Sequence, residues 1–206
     1  MKNNLTIVFD FDGTIVQSYH LIESIVRSLS KKYRLKEIDT NSRDVSKLSA
    51  KELLKAIEIK KWKLPFFIYE VKKRMNKQIV DQQLVEGIEN AIKKLYDLGF
   101  NLVIVSSNSK QNIQLFLEHQ QLNNYIDEIY AAPRLFKKEK TLKRIMKKHG
   151  SCIYIGDEVR DIIACHQAKM NIIAVSWGFN HASILKKENP THLIHHPDDI
   201  IPLITH

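Results

Sequence analysis

From residue 86 onward, short apolar runs alternate with segments of helical periodicity, and this alternation restricts the chain to few folds. The runs are 102–105, 128–131, 152–155, 171–175 and 192–194. Between them lie Ile88, Ala91, Ile92 and Leu95, then Ile113, Phe116 and Leu117, then Leu142, Ile145 and Met146, each set spaced for one face of a helix. Apolar strands separated by amphipathic helices predict an α/β fold, a parallel sheet covered by helices on both sides. Residues 5–9 form one more such strand, but its partners do not resume until about residue 100.

The stretch between, 15–85, reads as helical. Leu21, Ile22, Ile25, Val26 and Leu29 share one face of 18–35. Asp39-Thr40-Asn41-Ser42 marks a break, and Ser49 to Glu52 has capping-box spacing ahead of a run through Ile59. Pro65 suits the first turn of a third helix, with Phe66, Phe67, Ile68, Val71 and Met75 available to pack. The expected organisation is an α/β domain made of 1–14 and 86–206, with a small all-α domain, 15–85, inserted after the first strand. A length of 206 residues, 44% hydrophobic, suits one full domain with a smaller companion.

Charge is distributed unevenly between these parts. The insert carries 16 Lys+Arg against 8 Asp+Glu, and the remainder 16 against 15. Such a field attracts anions, from small phosphate esters to nucleic acid, while Lys-rich helices with solvated faces produce the same balance. The segment 60–67, Lys-Lys-Trp-Lys-Leu-Pro-Phe-Phe, interleaves aromatics with charge; it could stack on bases, and burial against the insert's own core is the preferred reading. Two cysteines, Cys152 and Cys165, sit in apolar surroundings and cannot build a disulfide framework. No apolar run approaches about 18 residues, so no transmembrane span is expected. Residues 5–9 are too short for the apolar region of a signal peptide, and the cytoplasm is the expected location.

The sharpest local signal is Asp10-Phe11-Asp12-Gly13-Thr14, directly after the first strand. Ligands bind at the C-terminal edges of strands in open parallel sheets. Two acids at alternate positions point to one side. One can attack as a nucleophile while the other handles a proton, and together they can hold a divalent cation. Three further strand ends add polar groups. Ser106-Ser107-Asn108 offers hydroxyl and amide groups suited to phosphate oxygens or to a helix cap. Lys137, Lys138 and Lys140 open the next helix, where a lysine can neutralise phosphoryl charge. Gly156-Asp157 with Asp161 brings carboxylates to a third edge, compatible with Mg²⁺.

In this order and placement the motifs resemble the haloacid dehalogenase-like (HAD) superfamily, within it the small phosphatases similar to phosphoglycolate phosphatase. The resemblance covers almost the whole chain: the DxDGT motif at 10–14, the strand ending in Ser106, a lysine at 137–140, the GDxxxD motif at 156–161, and the tail Ala174-Val175-Ser176-Trp177-Gly178-Phe179. It implies a Rossmann-like core with a helical cap at 15–85. It further implies Mg²⁺-dependent hydrolysis of a phosphate monoester through an aspartyl-phosphate, on a small phosphorylated metabolite such as phosphoglycolate. By that resemblance Asp10 is the nucleophile and Asp12 the general acid and base. Asp10, the backbone carbonyl of Asp12, and Asp157 ligate the metal, with Asp161 orienting the site. Thr14, Ser106, Ser107 and Lys138 hold the phosphoryl group, Lys138 being preferred over Lys137 and Lys140 on spacing from Phe136.

Aspartate at position 12, where the dehalogenase branch has tyrosine and the phosphonatase branch alanine, favours phosphatase or phosphomutase. A basic polynucleotide phosphatase is a further alternative. The chain departs from the family pattern at Glu86, where proline is usual, at Lys137, where glycine is frequent, and at Lys169, where the helix usually ends in glycine. Lys169 costs stability if that position is left-handed. His195 and His196, adjacent in a strand, are poor joint ligands and read as surface. Cys165 reads as core. Arg43 is an insert arginine able to reach an acidic substrate on closure.

Overall fold

A computed structural model describes residues 4–36, 50–132 and 138–205, with the backbone alone at 50, 51 and 53. Arg43, the 39–42 break, Ser49, Phe136 and Lys137 lie outside the described residues. Six parallel strands form one sheet: β1 (Thr6–Phe9), β2 (Asn101–Ser106), β3 (Glu128–Ala131), β4 (Cys152–Gly156), β5 (Asn171–Val175) and β6 (His192–Ile194). Their order is β3-β2-β1-β4-β5-β6. The chain builds outward from β1 in one direction, then returns to β1's other side for β4 to β6, so a topological switch point lies at β1.

The strands are apolar on both faces because both faces are covered. Ile7, Phe9, Leu102 and Ile104 point into one layer, against Ile88, Ala91, Ile92 and Leu95 of α4 (Ile88–Asp97), Ile113, Phe116 and Leu117 of α5 (Lys110–His119) and Ile200 of the C-terminal helix Ile200–Thr205. Val8, Val103 and Val105 point the other way. They meet Leu142 and Ile145 of α6 (Lys138–His149) and Ile162, Ala164, Cys165 and Ala168 of α7 (Val159–Ala168). The strand and helix periodicities of the sequence match these two layers, and Cys165 is core. Lys169 ends α7 at φ 59, a left-handed position that glycine occupies at less cost.

The insert forms α1 (Tyr19–Tyr33), α2 (Ala50–Ala56) and α3 (Leu64–Gln78), with Pro65 in the first turn of α3. It has its own apolar cluster, in which Leu21, Ile25, Leu29 and Tyr33 of α1 meet Ile57 and Phe67 and Met75 of α3. Ile15, Val16, Ile79 and Val85 belong instead to the sheet's core. The two connecting segments run side by side: Gln17 N–H donates to the Gln83 carbonyl, and Val85 N–H to the Ile15 carbonyl.

The expected burial of the 60–67 aromatics holds for one of them. Of the aromatics at 60–67, Phe67 alone is buried; Trp62 and Phe66 are 67% and 64% exposed, as is Tyr69 at 64%. Phe66 and Tyr69 of α3, with Trp62 in the short helical turn Lys61–Lys63 just before it, stand away from the Phe67 side that packs on α1. Among the described residues, no helix is long and apolar enough to cross a membrane.

Candidate active site

Strand register brings the motifs together. Phe9 pairs with Ile104 on one side and Ile155 on the other, so Asp10, Ser106 and Asp157 emerge within two residues of a common edge. Asp10 N–H still donates to the Ile155 carbonyl at 2.8 Å, which ties the acid to the sheet. Gly13 then turns the chain with φ +80. A Cβ at Gly13 or at Gly178 would overlap an oxygen of Asp157, so both glycines make room for that carboxylate.

Carboxylate atoms of Asp10, Asp157 and Asp161, all buried, lie within 4.8 Å of one another. The Lys138 ammonium sits among them, 3.1 Å from Asp10 Oδ1 and 2.6 Å from Asp161 Oδ1, and also donates to the Tyr154 hydroxyl at 2.7 Å. Gly156 accommodates the Tyr154 ring and Asp161 where a side chain would clash. Asp161 Oδ2 in turn accepts the Glu158 backbone N–H at 3.3 Å as part of the α7 capping box. Asp157 is held from two sides: Thr14 Oγ1 donates to Oδ1 at 2.8 Å and Phe179 N–H to Oδ2 at 2.7 Å. Ser106 Oγ donates to Asp12 Oδ2 at 3.4 Å and accepts from Asn108 N–H at 3.0 Å. Asp12 Oδ1 is buried without a hydrogen-bond partner.

Asp10, Asp12, Asp157, Glu158 and Asp161 thus share the pocket with Lys138 and Arg160, an excess of buried acid. Burial, opposed by Lys138, pushes Asp10 up to about 7. Burial, offset first by Arg160, pushes Asp12 up to about 6. Asp157 is raised well above the usual carboxylate range by burial and by Glu158 and Asp10. Burial opposes the charge of Lys138, but Asp10 and Asp161 outweigh it and raise its value. Clustered, desolvated carboxylates of this kind suit a hard divalent cation with oxygen ligands. The resemblance assigns such a cation to Asp10, the Asp12 carbonyl and Asp157; the carboxylates the structure brings within reach of one another are those of Asp10, Asp157 and Asp161.

Asp10, Asp157 and Asp161 come together, Lys138 meets Asp10 and Asp161, and Ser106 meets Asp12. Thr14 is turned to Asp157. Ser107 is half-buried, and its carbonyl accepts from Lys72 of α3 at 3.3 Å. Lys140 is exposed, as are His195 and His196. Residues that sequence reasoning missed are Lys72, Tyr154, Glu158, Arg160 and Asn180, whose Oδ1 accepts the Val159 N–H at 3.0 Å. Glu158 and Arg160 lie inside the GDxxxD motif and were open to view there; Lys72 and Tyr154 carry no local signal.

The chain belongs to the haloacid dehalogenase-like hydrolases, the model of that family matching residues 7–175. It is therefore an enzyme, of the hydrolase class. It is similar to a phosphoglycolate phosphatase from Synechococcus elongatus, 29% identical over 206 residues that cover 97% of this chain and 96% of the relative. It is also similar to pyrophosphatase PpaX from Bacillus mycoides, 23% identical over 216 residues that cover 100% and 98%. A haloacid dehalogenase-like family hydrolase from Streptococcus pneumoniae shares the fold, with a TM-score of 0.80 at 19% identity and coverage of 98% of this chain and 99% of that one.

Proposed function

We propose that this chain is a Mg²⁺-dependent phosphatase that hydrolyses a small phosphate monoester through an aspartyl-phosphate on Asp10. The observation that carries the reading is the cluster of Asp10, Asp157 and Asp161, with Lys138 against Asp10 and Asp161, beside Asp12 on the same sheet edge. Asp10 attacks phosphorus with a carboxylate oxygen, and the P–O bond to the leaving group breaks. Lys138, already charged and 3.1 Å from Asp10, balances negative charge on the phosphoryl oxygens. The Ser106 hydroxyl and the N–H groups of the loop after β2 are the remaining donors on that side.

Asp12 gives its proton to the departing alcohol and then takes one from the water that cleaves the acyl phosphate. A carboxyl raised to about 6 is matched to both steps near neutral pH. Its Oδ1, buried and unpartnered, is the atom available for that proton. When bound by Asp10, the Asp12 carbonyl and Asp157, a divalent cation supplies charge neutralisation for a carboxylate to approach a phosphate dianion. The helical unit 15–85 acts as a lid that admits substrate and then excludes bulk water.

The names of the two relatives suggest phosphoglycolate and pyrophosphate as the first substrates to try. Phosphate release is to be measured across a panel of phosphorylated metabolites with Mg²⁺. Turnover is expected that EDTA abolishes and that Asp10→Asn reduces by at least about a thousandfold. No release from any ester, or an Asp10→Asn chain as fast as the parent, would falsify the reading.

A further inference from the structure

Tyr154 interrupts an apolar row. It stands in the middle of β4, in register with Val8 of β1 on one side and Ile172 of β5 on the other, and its side chain is fully buried in the layer that α6 and α7 cover. A phenylalanine would fill that space with nothing to satisfy, whereas a buried phenol hydroxyl needs a hydrogen-bond partner. Lys138 is that partner, donating to Tyr154 Oη at 2.7 Å. The same nitrogen is 5.2 Å from the centre of the ring, so the hydroxyl is the closer contact. Gly156, two residues on, leaves the ring its room, since a Cβ there would come within 2.6 Å of it.

A lysine ammonium has three donors at the end of a flexible four-carbon stem, and a single acceptor would let it pivot. Lys138 has two close acceptors, Asp161 Oδ1 at 2.6 Å and Tyr154 Oη at 2.7 Å, with Asp10 Oδ1 farther off at 3.1 Å. The two are fixed independently, Tyr154 by the backbone of β4 and Asp161 by the capping box of α7. Tyrosine also holds the ammonium without adding to the buried acid of the pocket: burial, Asp10 and Asp161 push its hydroxyl well above the ordinary value, so it stays neutral. We infer that Tyr154 is a positioning residue of the site: with Asp161 it pins the Lys138 ammonium by two of its three N–H groups and leaves the third to Asp10 and to a phosphoryl oxygen bound beside it. The inference rests on the phosphatase reading and extends it to a side chain that touches no substrate.

The test reads Lys138 directly, by NMR of the full chain in Mg²⁺ buffer with ¹⁵N-labelled lysine. The Lys138 ammonium signal is identified by its absence from Lys138→Met. Its hydrogens are expected to exchange with water at least about tenfold more slowly than those of the exposed Lys140, because protein oxygens hold them. Tyr154→Phe should speed that exchange by about tenfold, the scale of one hydrogen bond to a charged group, and leave Lys140 unchanged. On the best-cleaved ester of the panel, Tyr154→Phe should lower kcat by about tenfold and change KM by less than about threefold, because the ammonium matters most where phosphoryl charge develops. In the Lys138→Met background the same substitution should alter kcat by less than about twofold, since a residue that acts through Lys138 has nothing left to position. A tyrosine that only fills the core would cost stability alike in both backgrounds and leave the exchange in place. Exchange in the parent as fast as that of Lys140, exchange unmoved by Tyr154→Phe, or an equal loss of kcat in both backgrounds overturns the inference, and the first of these needs no variant at Tyr154. Exchange is read without turnover, so the outcomes separate: protection lost in Tyr154→Phe of a chain that cleaves no ester keeps the anchor and removes the phosphatase reading, and turnover with unmoved exchange does the reverse.

Discussion

At the sheet edge, the oxygens of Asp157 and Asp161 are each fixed by a hydrogen bond or ion pair, whereas the helical unit holds Trp62, just ahead of α3, and Phe66 and Tyr69 of α3 in solvent. The first region is acidic, enclosed and anchored to six strands. The second belongs to a basic helical unit with a small core of its own, joined to the sheet through two adjacent segments. A group that must meet phosphorus in line gains from being held within fractions of an ångström, which strand ends and a capped helix provide. A unit that must admit and release a ligand gains from separable packing. The proposed chemistry falls on the sheet edge, and Lys72 reaches from the helical unit to the loop after β2.

Asp12→Asn presses hardest on this contrast. Loss of the proton carrier should lower kcat by about 10²- to 10⁴-fold. The same substitution should change stability in EDTA. The folded-state value of about 6 lies above the ordinary 3.8, so the folded chain holds this proton more tightly than the unfolded chain. Its contribution is fully present below about pH 4 and is lost as pH rises through about 6, by roughly 2–4 kcal/mol. Denaturant titrations of the metal-free parent from pH 4 to 7 should show that decline together with those of Asp10 and Asp157, and Asp12→Asn should make it shallower. An equally steep decline in the variant would remove Asp12 from the buried acid excess.

Within the helical unit, two aromatics five residues apart should behave differently. Phe67→Ala empties a site packed edge-on against Tyr33 at 5.2 Å and should cost about 3 kcal/mol or more, whereas Trp62→Ala should stay within about 0.5 kcal/mol. Comparable losses in thermal melts would mean that the exposed face is covered. A smaller effect is expected on the sheet side. Gly178→Ala should destabilise by about 1–3 kcal/mol through overlap with the Asp157 carboxylate, and should weaken Mg²⁺ activation by displacing it. A variant with parental stability and metal dependence would show that Asp157 has room to move.

Much of this was legible in one dimension, and particular residues show why. The runs at 128–131, 171–175 and 192–194 coincide with β3, β5 and β6; β5 is buried after its first residue, and the edge strands β3 and β6 keep partly exposed positions. Asp10, Asp12, Asp157 and Asp161 stood out because acids directly after such a strand contradict the pattern around them. Lys138 was separable from its neighbour Lys140 on family spacing, and the structure buries the first and exposes the second. The 60–67 segment misled because aromatic content alone does not say which side of a helix finds a partner; α1 covers the Phe67 side and leaves Trp62 and Phe66 outside.

The order of apolar and polar residues by itself determined the layered parallel sheet, the helical insert and the acids at the strand ends, since each follows from local periodicity and its interruption. Tertiary structure alone decided which groups touch. Lys72 meets Ser107 across 35 positions of chain, Thr14 meets Asp157 across 143, and Tyr154 reaches Lys138 from beneath the pocket. Such pairings depend on strand register and on how the insert lies over the sheet, and both are set by the packing of distant apolar surfaces, which leaves no mark near the residues it brings together.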